Sequence, residues 1–213
     1  YDYFTEKDKK SHFGKIWLDT LSFFDIKPNS NKYDFFLSKI ETEKARKFID
    51  TLGKKIKIGI NTQGSFPEKS IKSKELKEIC VGLYDHFKDI QIVILATPNQ
   101  QIEKKDFISK LGLDYVKCSY PTISINDAAA LIQKLDIIIS PDTSIVHIAA
   151  SFDVPTVSIH ENNKDSYRLW SPTSSLNKTI LLFVYGPIKA VKYPSRKDSL
   201  YTPPNSTSGS VSN

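Results

Sequence analysis

The chain has 213 residues, 39% of them hydrophobic and 25% charged, with a formal net charge of +6. That is enough for one well-cored domain with extensions. No apolar run approaches the roughly 20 residues of a membrane helix, and two cysteines, Cys80 and Cys118, are too few for a disulfide scaffold. The four histidines, His12, His86, His147 and His160, lack zinc-site spacing. The lysines are spread over many helical faces, so the charge reads first as solvated surface. Attraction to anionic lipid or a phosphorylated substrate comes second, and nucleic acid a weak third.

The first ten residues, YDYFTEKDKK, are polar and charged, unlike a signal peptide, and suggest a loosely held end. The chain begins with Tyr and contains no Met, which reads as a piece of a longer protein, with a processed chain as the alternative. Residues 1–52 differ in pattern from the rest of the chain. Phe13, Ile16, Trp17, Leu21 and Phe24 give a helix-like apolar face. Ile26–Asn31 is a turn-rich stop. Tyr33–Leu37 predicts a short strand, and Thr42–Leu52 a helix with Ala45, Phe48, Ile49 and Leu52 on one side.

From residue 53 to 186 strands and helices alternate. Strands are expected at Ile56–Ile60, Ile90–Ala96, around Tyr115-Val116, at Ile137–Ser140 and at Thr156–Ile159. Helices are expected over Ser73–Asp89, Gln100–Leu111, from Ser124 to Leu135, and from Ser144. Ser124 is a natural N-cap, with Asp127 placed to reach back in a capping-box manner. This βαβα order predicts an α/β fold, a Rossmann-like doubly wound parallel sheet with an N-terminal helical extension, whose ligands bind beyond the strand carboxyl ends. Residues 187–213, ending PPNSTSGSVSN, cannot bury enough apolar surface to order themselves and predict a disordered tail.

The most informative stretch is IIISPDTSIVHIAA, Ile137–Ala150. Three isoleucines suit a strand buried on both faces. Pro141 stops the ladder, and Asp142, Thr143 and Ser144 are good N-cap residues. A strand, a tight turn and a helix N-terminus leave unpaired N–H groups and a positive dipole end, where a diphosphate can bind. The alternative is an ordinary βα turn in which Asp142 only caps. An earlier loop, Asn61–Lys69, carries Gly64 for close backbone approach, the Ser65 hydroxyl, and Lys69 as a point charge for phosphate. A polar turn with a solvated lysine explains it as well. His147 contacts phosphate or sugar, or fills space between helix and strand. His160 lines the same cleft, and Trp170 stacks on a ligand or packs.

DTSIVHIAASFDVPTVSIH, followed by RLWSP at Arg168–Pro172, resembles the signature of the heptosyltransferase-type glycosyltransferases, family 9. The matching positions are Asp142-Thr143, His147, Ala149-Ala150, Val154-Pro155, Thr156–Ile159 and Trp170-Ser171-Pro172. The family's Gly is Ser144 here, and its usual Phe-Gly is Ile159-His160. The resemblance implies a GT-B fold, of which residues 53–186 would be the C-terminal, nucleotide-sugar-binding half. Residues 1–52 would be an interdomain remnant, with nearly all of the N-terminal, acceptor-binding half missing.

It also implies the site. The family places a small hydroxyl residue four positions before a Lys in the first loop, matched by Ser65 and Lys69, both toward the donor diphosphate or sugar. Its ribose-holding Glu is replaced by Gln100 or Gln101. Asp142 would accept from sugar hydroxyls while the Thr143 and Ser144 N–H groups face phosphate. The implied reaction is inverting transfer of a heptose-like sugar from a nucleotide donor such as ADP-heptose to a lipopolysaccharide-type glycan or glycolipid. The catalytic base would lie in the other half, and no cofactor, metal or nucleic acid takes part. The setting implied is cytoplasmic, with peripheral contact at the inner membrane face. The competing reading is a non-catalytic Rossmann-like module with a degenerate donor site, favoured by Ser144, Ile159-His160 and Gln100.

Overall fold

The computed structural model describes residues 11–174 and 176–182. The loosely held Tyr1–Lys10 and the disordered 187–213 expected from sequence lie outside them.

Six parallel strands form one sheet: β1 (Ile56–Ile60), β2 (Ile90–Ile94), β3 (Val116–Cys118), β4 (Ile137–Pro141), β5 (Thr156–Glu161) and β6 (Asn177–Leu182), in spatial order β3-β2-β1-β4-β5-β6. Ile60 is in register with Ile94 on one side and Ile139 on the other. The order reverses between β1 and β4, which opens a crevice beyond their carboxyl ends.

The central strands are rich in isoleucine, and β2 and β4 are buried along nearly their whole length, because helices cover both faces. Successive side chains point to opposite faces. Ile92 and Ile94 therefore join Leu76 and Cys80 of α3 (Ser73–Phe87) on one face, along with Phe107 and Ile108 of α4 (Gln101–Leu111). Val93 and Leu95 join the other face, under α2 (Lys39–Asp50), α5 (Ile125–Ile132) and α6 (Ser144–Ser151). Gly59 is needed in β1: a Cβ there would stand 2.4 Å from Leu135 Cδ1 and 2.7 Å from Ile138 Cδ1.

Both cysteines are free. Burial pushes the Cys80 thiol up to about 12, so it stays protonated in the core. Among the described residues, no helix is long and apolar enough to cross a membrane.

Several expectations need correction. Residues 33–37 form no strand. Phe35 and Leu37 pack on the core while Phe36 is 86% exposed. The alternation of burial is real, but the segment pairs with no strand among the described residues. Helix α2 starts three residues earlier than predicted. Ser38 accepts from the Ile40 N–H at 3.2 Å, and Glu41 accepts from the Ser38 N–H at 3.0 Å, a capping box. In α5 the Ser124 cap accepts from Asp127 N–H at 3.1 Å. The Ser124 N–H in turn helps hold the charge of Asp127, the reach back that the sequence suggested. Its carboxylate accepts from the Ile123 N–H at 3.0 Å and from Lys44 of α2 at 2.8 Å, tying the two helices together.

The N-terminal segment gives α1 (Phe13–Asp19) and a 3-10 turn over Thr20–Phe24, as its periodicity suggested, yet Trp17 is 63% and Phe24 73% exposed. A seventh helix, α7 (Lys164–Trp170), escaped the sequence reading. Asn163 caps it, accepting from the Asp165 and Ser166 N–H groups at 3.1 Å.

Candidate functional site

Two loops and the end of strand β5 meet at the carboxyl edge of β1, β4 and β5. The first, Asn61 to Ile71, folds back on itself. Ile71 N–H donates to Thr62 O at 2.9 Å, and Gly64 N–H donates to Ser70 Oγ at 3.0 Å. The close approach that requires Gly64 is to the loop's own backbone, since a Cβ would lie 2.6 Å from the Lys69 carbonyl. Gly64 thus shapes the loop that presents Ser65 and Lys69.

The second loop, after β4, carries Asp142 and Thr143 and leads into α6. Asp142 is fixed from three directions. Its N–H donates to Ile159 O at 2.9 Å, its carbonyl accepts from Ser65 Oγ at 3.2 Å, and its carboxylate lies 3.4 Å from His160 Nδ1. Lys69 Nζ reaches across to Glu161 Oε2 at 3.0 Å, where both side chains are roughly a third or more exposed. Thr143 is the N-cap residue of α6, but its hydroxyl does not cap. It lies 3.3 Å from both Asn61 Nδ2 and Ser140 Oγ, which leaves the Ser144 and Ile145 N–H groups without a side-chain cap, while Val146 N–H donates to Thr143 O at 3.1 Å.

Burial raises the Asp142 carboxyl. His160, and then the His147 and Lys69 charges, outweigh this and hold it below the ordinary carboxylate range. Burial pushes the His147 imidazole below its usual value, against the pull of Asp142.

A cleft of about 390 Å³, walled by both polar and aliphatic side chains, opens beside this cluster. Its walls include Gln63, Gly64, Thr97, Gln100, Thr143 and Ser144. Gln100 is the amide at the cleft, donating to Gln63 Oε1 at 3.3 Å. Gln101, the alternative, is buried and donates to Ala96 O and Ser119 O at 3.3 and 3.1 Å. The structure therefore brings together Gly64, Ser65, Lys69, Gln100, Asp142, Thr143 and Ser144.

His147 faces elsewhere. It lines a second, largely apolar pocket of about 640 Å³ with Phe13, Trp17, Tyr33 and Trp170. Its Nδ1 is buried without a hydrogen-bond partner among the described residues. Trp170 stacks on Phe13 at 4.3 Å, so it packs within the chain. Ser144 borders both pockets.

Two members of the cluster were missing from the sequence candidates. Asn61 ties the first and second loops together through Ser140 and Thr143, donating also to Gln63 O at 3.0 Å. An Asn just after a strand reads only as a turn residue, so nothing flagged it. Glu161 pairs with Lys69 across 92 sequence positions, a contact that local spacing cannot disclose.

A parallel sheet in this strand order, with a polar crevice at its switch point, defines the Rossmann class of domain, which takes ligands at that place. A family model for glycosyltransferase family 9 (heptosyltransferase) matches residues 16–200, and the chain belongs to that family. A protein of Escherichia coli (strain K12) assigned provisionally as lipopolysaccharide heptosyltransferase 4 is 26% identical over 147 residues, 67% of this chain and 38% of that protein.

Among solved structures, the glycosyl transferase family 9 protein of Veillonella parvula DSM 2008 superposes with a TM-score of 0.72 at 15% identity, covering 84% of this chain and 51% of that one. The E. coli ADP-heptose lps heptosyltransferase II gives 0.58 at 17% identity, covering 72% and 47%. The E. coli heptosyltransferase WaaC with ADP gives 0.53 at 18% identity, covering 73% and 45%. The chain thus spans about half the length, or less, of these relatives.

Proposed function

We propose that this chain holds the nucleotide-sugar donor of an inverting glycosyltransferase that passes a heptose-like sugar to a lipopolysaccharide-type glycan or glycolipid. The observation that carries the reading is the meeting of Ser65, Lys69, Asp142 and Thr143 beyond β1 and β4, at the N-terminus of α6.

Lys69, Ser65 and the α6 N–H groups receive the diphosphate. Asp142 accepts from sugar hydroxyls, and Gln100 from the ribose. The nucleotide follows two E. coli relatives, one named for ADP-heptose and one solved with ADP.

In the transfer, an acceptor oxygen attacks the anomeric carbon from the face opposite the diphosphate. The bond from that carbon to the diphosphate oxygen breaks, and its electron pair leaves with the diphosphate. Lys69 and the helix N-terminus stabilise the developing charge. The acceptor's proton goes to a carboxylate of the acceptor-binding half, so residues 1–213 alone transfer no sugar. A glycolipid acceptor places the reaction at the inner face of the cytoplasmic membrane, and the net charge of +6 suits contact with anionic lipid.

The second reading, a binding module with a degenerate site, draws on the pairing of Lys69 with Glu161 and Asp142 with His160, which neutralises the cluster internally. Calorimetric titration with ADP separates the two. The donor-site reading expects wild type to bind and Lys69→Ala to lose about tenfold to a hundredfold, since a charge-assisted contact contributes roughly 1.5–3 kcal/mol. Gln100→Ala loses less, a neutral hydrogen bond contributing about 0.5–1.5 kcal/mol. Equal affinity of wild type and Lys69→Ala removes Lys69 from the site, and no binding at all favours the degenerate module.

A further inference from the structure

We infer that His160 is the positioning residue that holds the Asp142 carboxylate, ionised and fixed in direction, as the acceptor for the donor's sugar hydroxyls; this rests on the donor-site reading above.

His160 ends β5 and is only 3% exposed. Its Nδ1 stands 3.4 Å from Asp142 Oδ2, long for a hydrogen bond but within ion-pair range. Its Nε2 is buried with no hydrogen-bond partner among the described residues. The one polar group the ring addresses is therefore Asp142, and the proton belongs on Nδ1. The ring cannot swing freely, because Tyr167 of α7 packs edge-on to it, with centroids 5.0 Å apart. Tyr167 is in turn held by a 3.0 Å hydrogen bond to Thr179 Oγ1 of β6.

The other charged or titratable groups around the pair come from separate elements. His147 on α6 and Lys69 on the first loop act on Asp142 with the same sign as His160. Glu161, next in β5, is engaged by Lys69. With its backbone N–H and C=O also bonded, Asp142 can turn only about its own side-chain torsions, and His160 restricts those. The Asp142 side chain is still 30% exposed, so a carboxylate so held remains within reach of a ligand. Burying a histidine nitrogen without a partner is costly, and the function that offsets this cost is the aim of Asp142.

The test uses residues 1–213 and two variants. His160→Phe keeps the ring's bulk and removes the donor. His160→Asn sets an amide nitrogen where Nδ1 was. Carbon-detected NMR titration of the Asp142 carboxyl, assigned by its loss in Asp142→Asn, should show the midpoint moving up in His160→Phe and staying near wild type in His160→Asn. An unchanged midpoint in His160→Phe overturns the pairing.

Titration with ADP-heptose and with ADP reads the ligand side. His160→Phe should weaken ADP-heptose about tenfold and ADP, which lacks the sugar, less than about twofold, with His160→Asn restoring the first. Equal losses for both ligands would reduce His160 to a packing residue and overturn the inference. Wild type that binds neither ligand would sink the donor-site reading itself, and the NMR midpoint then decides the pairing alone.

Discussion

His147 shows how one side chain couples the candidate site to the stability of the chain. It lies one turn into α6 with its Nδ1 buried and unpartnered among the described residues, and burial depresses its imidazole below the usual value of about 6.5. The folded state therefore prefers the neutral ring, and the unfolded state binds the proton more readily. The stability this contributes is complete above the unfolded value and is lost as pH falls from there through the folded value. Asp142 acts in the same direction at lower pH, because its depressed carboxyl adds stability that is present above about 3.9 and lost below. Thermal unfolding across a pH series should show a midpoint that is level above pH 7 and declines below about 6.5. His147→Gln should flatten the decline between about 6.5 and 5 while leaving the steeper loss near pH 4; a wild-type midpoint that does not change down to pH 5 contradicts this. That Ser65, Lys69, Asp142 and Thr143 follow strands was readable in the sequence, while their selection as a site rested on the family resemblance. The direction of His147 was not readable, since an imidazole on α6 can serve either the polar or the apolar wall.

At the scale of elements, the first loop decides whether the site exists, and Gly64 decides the loop. Gly64→Ala forces a Cβ into the Lys69 carbonyl, backbone that cannot give way without moving Ser65 and Lys69. We expect a loss of about 1–3 kcal/mol in stability, together with an ADP affinity at least as weak as that of Lys69→Ala. Equilibrium denaturation and calorimetry check both, and wild-type behaviour in each would show that the loop tolerates the shift. Strands β1, β2 and β4 were legible because isoleucines dominate them, which suits strands covered on both faces. Helix α7 was not, because its seven residues give too little periodicity, and its start depends on the Asn163 cap. The segment 33–37 deceived in the opposite way: its alternation is that of a strand, but no strand borders it, and Phe35 and Leu37 merely pin it to α2's layer. Ser38 and Glu41 were the overlooked signal for where α2 begins.

The described residues form one parallel sheet whose reversal of strand order creates the crevice, and each candidate residue that reaches it does so from a strand's carboxyl end. That much was readable by counting strands and helices along the chain. The second, apolar pocket, built by α1, α6 and the residues around Tyr33, was not, because its aromatic rings lie far apart in sequence. A nucleoside diphosphate should enter the polar crevice and not this pocket. Backbone-amide NMR spectra of the chain with and without about 1 mM ADP test this most directly. The donor-site reading predicts shifts at Gly64, Ser65, Lys69, Thr143 and Ser144, with Phe13, Trp17 and Tyr33 unmoved. Shifts centred on Phe13, Trp17 and Tyr33, or no shifts at all, would contradict it.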